Sequence, residues 1–285
     1  MGTLFHYCSS STFAAIVSQK SIWLSSLSLS NDTMEGRLVT QTFDRLLSLS
    51  KIDAEEMGEI REALKFAEEL FDGLGFCLSE KPDLLSQWRG YADDGKGFSI
   101  GFASEYLYEL RRAKEDGEYG FSVGKVVYES AEHEAVLKPI YDEIKEIIDS
   151  GKLKRPRFGL ISMPREEEMK KLDDEYLKSI KALWLKATKT LTSVYMLKAK
   201  AFSEEAEWRL VSYLSRDTDD LAFYRASGNR LIPYREFKLK PLNVRAITEV
   251  YIGPKNITPN FVIEKFLAQN GFPDVSVSRS AATYR

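Results

Sequence analysis

A chain of 285 residues with 44% hydrophobic and 29% charged residues has ordinary globular composition, and is long enough to bury a core without a metal or disulfide framework. Its 40 basic and 43 acidic residues give a formal charge of −3, which excludes the strongly basic footprint of a duplex-binding domain but leaves room for a local basic groove. No window approaches the roughly 18 uninterrupted apolar residues of a membrane span, and residues 1–6 lack the pattern of a secretory signal, so a cytoplasmic protein with no membrane partner and with Cys8 and Cys77 reduced is expected.

Residues 4–7 read as a short strand, in which period-two geometry sets His6 on the face opposite Phe5 and Tyr7. Ser9, Ser10, Ser11 and Thr12 then open a helix at Phe13. Residues 22–26 read as a strand, followed by a serine-rich structured loop and an Asn31-Asp32 turn, with Glu35 beyond it, capping the next helix. Asp53 and Glu56 form a capping box ahead of Met57, Ile60, Leu64, Ala67 and Phe71 at helical spacing. A strand at 75–78 precedes a loop carrying Trp88, Arg89 and Tyr91, which feeds a strand at 97–102. After a strand at 121–128, Val136, Ile140, Ile144 and Ile147 mark a helix whose charged start makes His133 a solvated surface residue. A third helix runs from Pro164 to about Lys200, long enough for a kink. Strands at 207–214, 230–238, 246–252 and 275–277 follow, with a helix at 257–270 stopped by Gly271. Helices separate the early strands and the late strands run close together. That order predicts one α+β domain over 1–285: a mixed or antiparallel sheet with helices packed around it, and helical insertions around 35–72 and 130–200.

Three places carry chemistry. His6 is set on the strand face opposite Phe5 and Tyr7. Aromatics beside Arg89 can stack on a base or nicotinamide ring and hold a phosphate. With residues 205 onward extended, Glu205, Glu207 and Arg209 share one face at a sheet edge, two carboxylates beside a guanidinium. No CxxC or HxxxH spacing supports a zinc site, and no Gly-rich phosphate fingerprint or G-x-S-x-G elbow occurs, so no metal is expected.

The ordered set Phe5-His6-Tyr7, Leu24-Ser25-Ser26, Asn31-Asp32-x-x-Glu35, Phe76-Cys77-Leu78-Ser79, Gln87-Trp88-x-x-Tyr91-Ala92, Gly97-x-x-Ile100-Gly101-Phe102, Phe202-x-x-Glu205-x-Glu207-Trp208-Arg209, Ile252-Gly253-Pro254 and Ser280-x-x-x-Tyr284-Arg285 resembles the uncharacterised bacterial family called domain of unknown function 2971, over nearly the whole chain. That resemblance implies a phage-defence context. The opening strand and the Trp23-Leu24-Ser25 run are also similar to the start of ADP-ribosyltransferase-type enzymes. This second resemblance implies a split sheet and a toxin or defence effector that consumes NAD as substrate and cleaves its nicotinamide–ribose bond. By the same resemblance His6 contacts the ribose, Tyr91 or Trp88 stacks on the nicotinamide, and Glu207 is catalytic with Glu205 as upstream acid. Tyr7, Arg89 and Arg209 complete the implied NAD pocket, and the acceptor is protein, nucleic acid or water. The alternative is a module that binds a nucleotide or nucleic-acid end in the same cleft without cleaving it, drawing on the Trp88–Tyr91 loop and on Arg225, Arg230 and Arg235; a third reading makes the long helix a partner surface. The transferase reading requires His6, Tyr91 and Glu207 to line one pocket, and fails if His6 and Glu207 take opposite faces of the sheet.

Overall fold

The computed structural model describes residues 2–29, 37–50, 52–116, 118–154, 166–216 and 222–284. Asn31, Asp32 and Glu35 lie outside them. The first third holds β1 (Thr3–Cys8), α1 (Ser10–Gln19), β2 (Ser21–Ser26), α2 (Arg37–Ser48), α3 (Ala54–Leu70), β3 (Phe71–Ser79), α4 (Leu85–Tyr91) and β4 (Phe98–Ala103). The middle is largely helical, with α5 (Ser104–Arg112), β5 (Ser122–Lys125), α6 (Ser130–Asp149), α7 (Glu166–Ala187) and α8 (Leu191–Val194). The last third holds β6 (Glu207–Ser215), β7 (Phe223–Ser227), β8 (Arg230–Lys238), β9 (Ile247–Ile252), α9 (Asn260–Gln269) and β10 (Ser276–Arg279). Among the described residues the strands form one sheet ordered β10-β9-β4-β1-β3-β2-β8-β7, with β6 on β3 and β5 on β6. Pairing is antiparallel except between β9 and β10, so the α+β mixed sheet is as expected.

Local signals explain several element ends. Ser9 caps α1 by accepting from the Thr12 amide, and Lys20 closes it at φ 49°. Asp53 and Glu56 make the expected reciprocal capping box of α3. The helix foreseen to run to Lys200 ends instead at Ala187 and continues only as a tight turn and α8. Here Thr188 and Thr190 turn their hydroxyls back onto the carbonyls of Leu185 and Ala187, which loosens the helical ladder. The Trp88 loop is instead the short helix α4, and residues 104–112, to which the sequence pattern assigned no element, form α5. Seven residues make a marginal helix alone, so α4 owes its stability to tertiary packing.

The sheet has a core on each face. On one, Leu4, Cys8, Leu24, Phe76 and Ile100 pack with Ile16 of α1, Leu107 of α5 and Ile263 of α9. On the other, Leu27 and Val211 meet the apolar stripes of α2, α3, α6 and α7, including Phe43, Ile60, Ile144 and Leu183. Phe5 and Tyr7 form a smaller cluster with Trp88, which is fully buried. His133 is also buried rather than solvated: its Nε2 donates to the Val127 carbonyl at 2.9 Å, beside the Lys198 amide on the same oxygen.

α4 is held from the far end of the chain. Asp83 accepts from Trp88 Nε1 at 2.6 Å, from Ser280 Oγ at 2.5 Å and from the Ala281 amide at 2.7 Å. Tyr284 donates to Asp94 at 2.7 Å just beyond the helix, with the Lys255 ammonium 3.9 Å from its ring centre. Trp88→Ala removes the ring that anchors this arrangement and is expected to cost about 3–5 kcal/mol of unfolding free energy in urea titration.

Candidate functional site

The sheet is split at β3. Along one edge β3 pairs with β6 from Phe71 to Ser79. Its other edge is shared, with β2 pairing at Leu74 and Gly75 and β1 at Ser79 alone. Phe76 and Cys77 face the gap between them. His6 bridges it: Nδ1 donates to the Cys77 carbonyl at 2.8 Å, and the imidazole stacks on Phe76 with ring centres 4.0 Å apart. Burial drives the imidazole pKa down from 6.5 to about 4, against the opposing effect of the carbonyl bond. The ring is therefore neutral near pH 7, and because a carbonyl only accepts, its proton sits on Nδ1 and Nε2 is left as an acceptor.

A cleft of about 550 Å³ opens in the split. His6, Tyr7 and Cys8 of β1, Ser9, Ser11 and Thr12 at the start of α1, and Trp23 and Ser25 of β2 line it, with Gly75 and Cys77 of β3, Tyr91 and Arg225. Gly75 cannot carry a side chain, since a Cβ there would collide with Leu27. Arg225 is placed by a 3.3 Å bond from Nε to Ser25 Oγ. Sequence reasoning found His6, Tyr7 and Tyr91 but missed the wall of Trp23, Ser25 and Cys77, which only strand pairing reveals.

Of the implied stacking aromatics, Tyr91 reaches the cleft and Trp88 does not, being buried beneath it. Tyr91 is 46% exposed overall, yet burial at its hydroxyl end and the nearby Glu205 carboxylate push its pKa up. Arg89 lies outside the cleft, 5.8 Å from the ring centre of Tyr284. Tyr7 lends its ring to the wall while its hydroxyl donates to Lys81 O and accepts from Leu84 N, each at 2.8 Å.

Glu205, Glu207 and Arg209 do not form the expected strand edge. β6 begins at Glu207 and lies between β3 and β5. Glu205 ends a 3-10 turn, separated from the strand by Ala206 at φ 44°. All three are buried, in a cluster organised by a residue the sequence reading missed. Lys198 Nζ donates to Glu205 at 2.6 Å and to Glu207 at 2.9 Å, while Arg209 grips Glu207 at 2.7 and 3.1 Å. Arg209 Nη1 also donates to the Tyr195 carbonyl, and the Tyr128 hydroxyl receives the Glu207 amide. Burial alone would raise the Glu207 carboxyl, but Arg209 and Lys198 outweigh it and hold the group ionised below its usual range. Burial prevails at Glu205, whose pKa is raised. Burial alone would lower Lys198, but Glu207 and Glu205 hold it up.

Pairing partners in an antiparallel ladder share a face. Phe5, Ser79 and Glu207 are therefore on one face and His6 is on the other. The condition set for the transferase reading with Glu207 is therefore not met: His6 and Glu207 take opposite faces of the sheet, His6 and Tyr91 share the cleft, and Glu207 is held by two cations. Among the described residues no group of three His, Cys, Asp or Glu is placed to hold a metal ion, and no helix is long and apolar enough to cross a membrane.

Residues 87–210 match a family model described as "Protein of unknown function (DUF2971)". The matched span includes Tyr91 and the Lys198 cluster but not β1, α1 or β2, so the resemblance seen along nearly the whole sequence is shown for this part. No curated protein and no solved structure matches the chain.

Two measurements probe these groups. Lys198→Met removes the cation that Glu205 and Glu207 share, leaving Arg209 to hold Glu207, and is expected to cost about 3–5 kcal/mol in chemical denaturation. The folded state refuses a proton on His6 until about pH 4, whereas the unfolded chain accepts it near 6.5. Stability should thus fall as pH drops from 6.5 to 4 and level off below, by about 3 kcal/mol relative to His6→Gln, when denaturant curves of the two proteins are compared across that window.

Proposed function

We propose that the chain binds a small-molecule nucleotide in the split of the sheet, with NAD the nucleotide that the sequence resemblance nominates. The observation that carries this reading is the split itself. It opens a cleft of a volume typical of ligand sites, and its wall combines flat rings, a neutral imidazole and a guanidinium. Each group suits one part of a nucleotide. His6 Nε2 accepts from a ribose hydroxyl, and Trp23 or Tyr91 stacks on a base or nicotinamide ring. Arg225 and the start of α1 favour phosphate. Calorimetry with NAD, ADP-ribose and AMP should show binding that Arg225→Ala and Tyr91→Ala each weaken about tenfold, the scale of losing one charge-assisted bond or one stacked ring. Absence of heat with all three ligands would overturn the reading.

A second reading, cleavage of the nicotinamide–ribose bond, sets Glu207 aside and rests on Glu205, which ends the turn leading into β6 and is held by Lys198 at 2.6 Å. When that bond breaks, its electron pair leaves with nicotinamide and positive charge develops on the ribose, which a fixed carboxylate stabilises. Glu205 suits this role better than Glu207, since among the described residues it pairs with one cation, Lys198, whereas Glu207 is held by both Lys198 and Arg209. Water, a protein side chain or a nucleic acid would then take the ribose. If the chain cleaves NAD, Glu205→Gln should slow nicotinamide release about a hundredfold, measured by chromatography. Undiminished release from that variant removes Glu205 from the chemistry, and no release from the unaltered protein leaves binding alone.

A further inference from the structure

The cleft continues onto an open aromatic surface. Register places Trp23 and Ser25 of β2, Arg230, Ile232 and Tyr234 of β8, and Phe223 and Arg225 of β7 on one face. Trp23 and Tyr234 stack with ring centres 4.3 Å apart and planes 23° from parallel. Tyr234 and Phe223 follow at 5.7 Å and 33°. The three rings make a row across three strands, about 10 Å long at ordinary strand spacing. At one end Trp23 forms the cleft wall, and at the other Phe223 is 58% exposed on the edge strand. The two arginines lie to one side of the row, Arg225 at the level of Ile232 and Arg230 at the level of Ser227. Arg225 is held by Ser25, and Arg230, exposed, donates one bond to the Leu29 carbonyl at 2.8 Å. Glu236, next in line on this face, is paired with Lys238 at 2.6 Å.

The geometry points to this face as a track for single-stranded nucleic acid whose end enters the cleft, which rests on the nucleotide reading of that cleft. An isolated apolar edge would suit many partners. A row of rings with two guanidiniums to one side, continuous with a nucleotide-sized cleft, favours unstacked bases joined by phosphates. A duplex keeps its base faces covered and cannot use the rings. The near-neutral chain fits a short local track rather than a broad basic surface.

Fluorescence anisotropy of the full chain with a labelled oligothymidine, an oligouridine and a blunt duplex tests the inference, the first two arms separating DNA from RNA. At least one single strand should bind more tightly than the duplex. Phe223→Ala should weaken that binding about tenfold, and Arg230→Ala should lower the salt slope by about 0.7, while both leave AMP affinity in calorimetry unchanged. Phe223 and Arg230 are exposed, so both variants should melt like the unaltered protein. Duplex binding as tight as single-strand binding, or a Phe223→Ala variant with undiminished strand affinity, would overturn the track. AMP binding without single-strand binding also overturns it, but leaves the cleft reading intact. Single-strand binding that Phe223→Ala weakens, with no heat from any mononucleotide, supports the track and overturns the cleft reading.

Discussion

Everything at the site depends on how one edge of β3 is satisfied. A buried strand edge must find partners for its backbone groups, and β3 finds them piecemeal: β2 at one end, β1 at the other, and an imidazole between. The His6–Cys77 bond is thus a substitute for a missing ladder bond. Because a side chain rather than a strand fills the gap, the sheet can part there without leaving a carbonyl unpaired. One hydrogen bond therefore does two things, closing the fold and fixing the tautomer of the ring that faces the cleft.

A separate constraint governs the opposite side of β3. Two carboxylates and two cations are buried together, and each is tolerable only because of the others. Lys198 reaches them from the segment after α8, where its amide shares the Val127 carbonyl with His133. The helical insertion and the strand layer are therefore joined by charge as well as by apolar packing.

Much of this was legible in the residues. Alternation around His6, the capping box at Asp53 and the close run of late strands all express local rules, and the structure follows them. The Trp88 segment was not legible as a helix, because its helicity comes from Tyr7, distant in sequence, and from Asp83, which Ser280 and Ala281 hold in place. His133 looked exposed among charged neighbours, yet its partner is a carbonyl six residues back on another element. The pattern Glu205-x-Glu207-x-Arg209 suggested one strand face, but the left-handed turn at Ala206 breaks the alternation, and alanine gives no warning of it. Lys198 resembles any other lysine until burial is known. The cleft wall was hidden for the same reason, since Trp23 and Arg225 are some 200 residues apart in the chain, a separation that no local pattern spans.

The bonds from Ser280 and Ala281 to Asp83 tie the cleft to a part of the chain that does not line it. The helix that carries Tyr91 is held on one side by Tyr7, the residue directly after His6, and on the other by residues 280–284. A disturbance of that distant segment would therefore reach the cleft wall through α4 without altering any residue that lines it.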